Sequence, residues 1–343
     1  MSQQNCAVVL AAGEGKRMKR ERPKALSPVL FKPMLQWVLD AARGAGIESA
    51  CVVTGYLHEQ VERYLLEHDP KTGTVLQSQR KGTGHAVMMA AGFLRAHATG
   101  CNTLILNGDA PFVDSDIIRG ALEAHIQSEN AVTVISAALD DPTGYGRIVR
   151  DKNTRLVSAI VEQKDASPED LAVREVNSGA YWFRTDDLLE VLTKIRSNNV
   201  QGEYYLTDAV GLLIAEGKKA DAYTAGSAEA VLGANDCVQL AELNAIARDR
   251  ILLRHLREGT DIPCRDGVVI GPDVVIGKDV CILPGTVLQG KASVGRGCTV
   301  GPNTVVIDCA VGEGSTLHCV LCKGGSVPPG TEAEPFTVLN STD

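Results

Sequence analysis

No stretch of the 343-residue sequence approaches the length of a membrane span. The opening residues Met1-Ser2-Gln3-Gln4-Asn5 are polar and uncharged, so the basic stretch and long apolar run of an export signal are missing and a cytoplasmic protein is expected. A basic excess is missing too: 34 Lys and Arg against 42 Asp and Glu give a formal net charge of −8. General nucleic-acid and anionic-membrane binders usually carry the opposite sign, so neither partner is expected. An anionic small substrate stays open, because only its pocket has to be positive. The ten cysteines are scattered in mostly apolar contexts and show no paired framework. They read as reduced thiols used as small apolar side chains.

What is present is enough for a sizeable core: 44% of residues are hydrophobic and 22% charged, in a chain long enough for two domains. Residues 1–236 alternate apolar runs with helical patterns, predicting a mostly parallel sheet covered on both faces. Strands are expected at Cys6–Leu10, Cys51–Thr54 and Thr103–Leu106, with helices at Met34–Arg43, Glu59–His68 and Gly84–Ala98. Further strands over Ala131–Ala138, Ile148–Arg150, Val157–Val161 and Gly179–Arg184 read as an antiparallel insertion beside the main sheet. Residues 237–262 carry a linker helix pattern with Leu240, Leu243, Ala247, Ile251 and Leu256.

Residues 263–343 are of another kind. Ile270, Ile276, Ile282, Leu288, Val294, Val300 and Val306 recur every six residues, and Val311 and Leu317 follow after one shortened step. Glycine follows the apolar anchor at 271, 277, 295, 301 and 312, and Thr286, Ala292, Cys298, Thr304 and Ser315 place small residues four positions after it. This is the hexapeptide repeat of a parallel β-helix, whose anchors stack inward from coil to coil. The nine hexads make about three coils, after which Pro328-Pro329-Gly330 and a polar tail are expected to end the helix.

The first strand runs into Leu10-Ala11-Ala12-Gly13-Glu14-Gly15-Lys16-Arg17-Met18. A glycine-rich turn after a first parallel strand lets backbone N–H groups approach phosphate oxygens. It is no Walker A loop, since Lys16 is followed by Arg17, and no dinucleotide fingerprint, since Met18 stands where the third glycine belongs. Six cations lie between Lys16 and Lys24. Lys19 and Arg20 suit a solvated face, whereas Arg17 and Lys24 are candidates for gripping phosphates, one by paired hydrogen bonds and one as a point charge. Asp109 lies just past a parallel strand, where open α/β sheets bind ligands. A carboxylate there suits Mg²⁺, and equally a turn or the start of a helix near Asp114.

These motifs continue in order through Pro23-Lys24, Gly82-Thr83-Gly84-His85, Asn107-Gly108-Asp109, Asp141 to Arg147 (DPTGYGR), Val161 to Asp165 (VEQKD), Asn177-Ser178-Gly179 and Gln201 to Asp208 (QGEYYLTD). Together they resemble the sugar nucleotidyltransferases, and within them the uridylyltransferase half of the bacterial bifunctional N-acetylglucosamine-1-phosphate uridylyltransferase/glucosamine-1-phosphate acetyltransferases. The resemblance implies a Rossmann-like nucleotidyltransferase domain followed by a short left-handed parallel β-helix. It implies transfer of UMP from UTP to N-acetylglucosamine 1-phosphate with release of pyrophosphate.

By the same resemblance Leu10, Ala11, Ala12 and Gly13 hold the nucleotide, and Gln77, Gly82 and Thr83 read the uracil. Gln77 suits this because its amide offers both a donor and an acceptor. Arg17 and Lys24 neutralise phosphates, Asp109 and Asn235 hold Mg²⁺, and Gly146, Glu162, Asn177, Tyr205 and Thr207 line the amino-sugar pocket. Asn107 stands where relatives often carry Tyr and touches sugar or base, and Lys16 replaces a common Thr. Glucose or N-acetylgalactosamine 1-phosphate stays open as acceptor, and so does a scaffold that binds nucleotide-sugar without turning it over. The coils carrying the acetyl-transfer site in these relatives have no counterpart, so that activity is not expected. Assembly as a homotrimer through the β-helix is. Finally, Cys319 and Cys322, with His318 and Cys309 nearby, raise a zinc site, but a second such pair is missing.

Overall fold

The computed structural model describes residues 4–340; the extreme ends of the expected domains, 1–3 and 341–343, lie outside the described residues. The chain forms two compact units, one from the residues up to Ser27 with Pro33–Gln239, the other from Pro28–Lys32 with the chain from Leu240 on.

The first unit is built in the order β1 (Cys6–Ala11), α1 (Met34–Gly44), β2 (Ser49–Thr54), α2 (His58–His68), β3 (Gly73–Leu76), α3 (Thr83–Met89), α4 (Ala91–His97), β4 (Asn102–Asn107) and α5 (Ser115–Gln127). There follow β5 (Val132–Ala138), β6 (Arg147–Arg150), β7 (Val157–Val161), β8 (Glu175–Arg184), α6 (Thr185–Leu192), α7 (Thr207–Ala215) and β9 (Ala220–Thr224). The nine-stranded sheet runs β9-β5-β8-β4-β1-β2-β3, with β6 and β7 as a ribbon attached to β8. β1 pairs in parallel with both β2 and β4, so the turns after these strands emerge at one edge.

Period-two alternation sorts each strand between two cores. Cys6, Val8, Ile105, Tyr181 and Phe183 pack with Ala86, Val87 and Leu94 of α3 and α4 on one face. Ala7, Val9, Leu104, Leu106 and Trp182 pack with Leu35, Val38 and Leu39 of α1 on the other. Helix α5 is started by Asp114, whose carboxylate accepts from the N–H groups of Asp116 and Ile117. That leaves Asp109 free of the capping role.

Two expectations are corrected here. The strands Ala131–Ala138 and Gly179–Arg184 are not an insertion beside the sheet: β5 and β8 lie in its middle, β8 antiparallel to both β4 and β5. Only β6 and β7 form a side ribbon. β5 is buried on both faces from Val132 to Ala137, and β8 over Ala180–Phe183, so these runs show no one-sided alternation and say nothing of strand order. The single helix expected over Gly84–Ala98 is two, broken at Ala90, whose ψ of 0° and N–H bond to Val87 O make a tighter step.

The second unit takes in most of α8 (Cys237–Arg257) and a left-handed parallel β-helix. Its short strands stack into three sheets of five, four and four strands. The apolar anchors sit directly over one another, as Ile270 over Leu288 and Leu288 over Val306. The repeat runs further than three coils: Ser326–Val327, Glu332–Ala333 and Val338–Asn340 each add a strand, so the helix continues through and beyond Pro328-Pro329-Gly330. The extension is poorly marked in the sequence because its inward positions are Cys322 and Val327, reached by shortened steps, and Ala333, with Cys322 and Ala333 giving a weaker apolar signature. Cys322 is wholly buried inside the coils, and burial pushes its thiol up to about 11. Cys319 stands at a corner with φ +56°. Among the described residues no group of three or more His, Cys, Asp or Glu is placed to hold a metal.

Candidate active site

The turns after β1 and β4 open into one cleft with two ends. Leu10, Thr83, Asn107 and Asp109 line both. One end, of about 240 Å³, is walled by Tyr145, Gly146, Glu162, Asn177, Gly179 and Thr207. The other is wider and is lined by Ala12, Gly13, Gln77, Arg80, Gly82 and Glu203.

Where the ends meet, three residues distant in sequence converge. Lys24 Nζ donates to Asn235 Oδ1 at 2.9 Å and pairs with the Asp109 carboxylate. The ammonium is mostly buried, so the pair is less screened than a surface ion pair. Each partner is placed by its own backbone. Gly108 N donates to Leu10 O, tying the turn after β4 to β1 and carrying Asp109 to the cleft. Gly15, at φ +63°, lets the glycine turn close on the lysine stem: a side chain there would meet Lys24 Cβ at 3.0 Å. Asn235 is held by its N–H bond to Gln239 Oε1, beside Asp236, whose carboxylate caps α8.

At the enclosed end, Thr207 Oγ1 donates to Glu162 Oε1 at 3.2 Å. Burial pushes the Glu162 carboxyl above its ordinary range; the Thr207 bond opposes this, and the charges of Asp165 and Asp208 add to it. Gly146 lies beside the carboxylate; a side-chain carbon there would be in ordinary contact with Glu162 Oε2, at 3.5 Å. Asn177 accepts from Gly179 N and donates to the Tyr181 hydroxyl at 2.6 Å. β8 bulges at this point: Asn177 is opposite Ser136, and Ala180 is opposite Ile135. The bulge puts Gly179 at φ +77° and makes a seat for Asn107.

At the wider end, Gln77 Nε2 lies 3.0 Å from Gly82 O and 2.9 Å from His85 Nδ1. Gly82, at φ +100°, passes so close to Tyr204 O that a side chain would come within 2.6 Å of it. Thr83 Oγ1 accepts from Leu206 N, fastening this loop to the start of α7.

Most of the expected residues therefore line the cleft, and three do not. Ala11 points into the core shared with α1, so only its backbone can serve a ligand. Arg17 is exposed on the short turn Lys16–Met18, outside the lining. The Tyr205 hydroxyl accepts from Gln201 Nε2 at 2.5 Å, and the Tyr205 backbone packs against Gly84, behind the wall. Sequence reading missed Arg80, Tyr145, Tyr181 and Gly233. Arg80 pairs with Glu14 at 3.1 Å and its guanidinium stands 5.8 Å from the centre of the Tyr56 ring. Its place in Arg80-Lys81-Gly82, cations beside a glycine turn, was the available signal.

A sheet of this order with a phosphate-sized turn, a cation and two oxygen donors at its carboxyl edge defines a class, and sequence comparison names it. The nucleotidyl transferase family matches residues 6–229, and the bacterial transferase hexapeptide family matches 273–308. The chain belongs to the nucleotidyl transferase family and is a nucleotidyltransferase enzyme. It is 42% identical over 330 residues to the bifunctional protein GlmU of Caldanaerobacter subterraneus subsp. tengcongensis, covering 96% of this chain and 70% of that protein. It is 40% identical over 330 residues to the bifunctional protein GlmU of a Geobacillus species, covering 96% and 71%. Among solved structures it resembles a Bacillus anthracis protein described as a glucose-1-phosphate thymidylyltransferase in complex with sucrose. That likeness has a TM-score of 0.58 at 21% identity, over 71% of this chain and 96% of the other, and it speaks for the fold.

Proposed function

We propose that the cleft transfers UMP from UTP to N-acetylglucosamine 1-phosphate, giving UDP-N-acetylglucosamine and pyrophosphate. An oxygen of the sugar phosphate attacks the α-phosphorus in line, and the bond from that phosphorus to the pyrophosphate oxygen breaks. The attacking phosphate is already anionic, so no protein nucleophile is needed, and catalysis is positioning plus charge stabilisation. The observation that carries this reading is the meeting of Lys24, Asp109 and Asn235 between an enclosed polar end and an open nucleotide-sized end. Lys24 neutralises the phosphates; Arg17, which the sequence offered for the same task, stands exposed outside the lining and has no part in this reading. Glu162, Asn177 and Thr207 offer acceptors and donors to the hydroxyls and N-acetyl group of the sugar.

Asp109 and Asn235 suit a divalent cation of the Mg²⁺ kind. Both present hard oxygens, and those oxygens already converge on one positive charge, the Lys24 ammonium. Such an ion, when bound, supplies neutralisation of the phosphate oxygens. The hexapeptide repeats support assembly of several copies, a homotrimer in this reading, and light scattering on the same preparation gives the mass.

The test is product analysis with UTP, Mg²⁺ and competing sugar 1-phosphates, read as pyrophosphate and nucleotide-sugar. N-acetylglucosamine 1-phosphate is expected to be the preferred acceptor, and Asp109→Ala to lower turnover by about 10²–10³ with an unchanged far-ultraviolet spectrum. Preference for glucose or N-acetylgalactosamine 1-phosphate would replace the acceptor. Binding without turnover for every sugar would make the protein a scaffold.

A further inference from the structure

Gln77 has one amide to offer the wide end of the cleft, and the structure spends half of it internally. Gly82 O can only accept a hydrogen bond, so the Gln77 atom 3.0 Å from it must be the nitrogen. The same nitrogen lies 2.9 Å from His85 Nδ1. An amide nitrogen only donates, so Nδ1 must carry its lone pair and the imidazole proton must sit on Nε2. Both hydrogens of Gln77 Nε2 are then committed. Oε1, which has no hydrogen-bond partner among the described residues, is what the amide has left for a ligand.

The frame that holds this arrangement is rigid on the loop side. Gln77 N is anchored to Thr54 O, Tyr204 N to Lys81 O, and Gly84 N to Tyr204 O. The Tyr204 ring stands 6.1 Å from the imidazole. His85 lies on the first turns of α3, and its ring reaches back to Gln77.

We infer that His85 is a positioning residue for base selection: by accepting from Gln77 Nε2 it holds the side chain as a pure acceptor, which fits the N3–H of uracil and opposes the N3 lone pair of cytosine. Uracil presents a donor at N3 where cytosine presents an acceptor. Without the imidazole one Gln77 N–H is released, and a free N–H is the group that cytosine N3 requires. The inference deepens the uridylyl reading and rests on it. The amide's double character, which made Gln77 a candidate in the sequence, is narrowed by its neighbour to one polarity.

The experiment compares kcat/KM for UTP and CTP in the unaltered chain and in three variants. In His85→Ala the UTP-to-CTP ratio is expected to fall about tenfold, the worth of one lost orienting hydrogen bond. In His85→Asn, whose Oδ1 can accept near the place of Nδ1, the ratio is expected to stay near its original value. His85→Leu fills the volume without an acceptor and stands in if the Ala variant does not fold. A structural role for the ring would lower both rates together and leave the ratio unmoved. An unchanged ratio in Ala and Leu, or an equal fall in Asn, overturns the inference. An unaltered chain that does not prefer UTP at all overturns the uridylyl reading instead.

Discussion

A buried carboxyl beside other carboxylates resists ionisation, and Glu162 is in that position. Burial raises its carboxyl above the ordinary range, and Asp165 and Asp208 raise it further. A group whose pKa is higher folded than unfolded favours folding in its protonated form. Its contribution is present below the unfolded value and is lost as pH rises through the folded one. Near neutrality, then, a charged Glu162 works against the fold, a cost that the proposed role in sugar recognition would explain. Glu162→Gln preserves an acceptor for Thr207 and removes the charge. The variant is expected to melt above the original protein at pH 7–8 and to lose that advantage as pH falls through the raised range of the folded carboxyl, the loss being complete by about pH 4, the ordinary carboxylate range. Its KM for the sugar phosphate is expected to rise about tenfold, as for a lost charged hydrogen bond. Melting curves across pH, with kinetics at pH 8, check both, and a melting gap that does not change with pH contradicts the account. Residues such as Glu162 and Asn177 were legible only as members of an ordered set. Nothing near Asn235 in sequence announces a partner 211 positions away at Lys24.

At the scale of an element, the bulge in β8 does the most for the site. Ser178 Oγ donates to Ile135 O at 2.7 Å and accepts from Ala180 N, so the extra residues are hydrogen-bonded rather than loose. Gly179 is required twice over, by its positive φ and by Asn107, whose Nδ2 lies 2.0 Å from where a side-chain carbon would be. Gly179→Ala is expected to destabilise the protein by about 1–3 kcal/mol. Asn107→Ala opens the seat but leaves the backbone strained. The double variant should therefore recover the steric part and retain about 1 kcal/mol of conformational cost. Denaturant unfolding of the four proteins gives the coupling, and strict additivity would show that the two side chains do not compete for this space. The motif Asn177-Ser178-Gly179 could be read in the sequence, but the bulge could not. It exists only because β8 lies between β4 and β5, and strand order leaves no trace in runs buried on both faces. The hexapeptide repeat was legible for the converse reason: its period is the coil itself, and reading failed only where shortened steps and Cys322 broke the period.

For the whole molecule, the consequence of two compact units is two interiors built by different physics. The sheet buries its strands between helix layers in one cooperative set. The β-helix adds nearly identical layers, each supported by its neighbours, so its stability accumulates coil by coil. Leu288 is wholly buried and paired to Ile270 on one side and Val306 on the other, near the start of the stack. Leu288→Ala should cost about 2–5 kcal/mol through lost burial and a residual cavity. If the proposed function holds, UTP with Mg²⁺ should stabilise the sheet unit by mass action, by about 2.7 kcal/mol at a hundredfold excess over Kd. If the cores unfold separately, calorimetry will show two transitions, one lowered by Leu288→Ala and the other raised by nucleotide, while turnover at 25 °C stays within about twofold. If both perturbations move one common transition, the stack and the sheet melt as a unit. Turnover would then depend on the hexapeptide coils through stability.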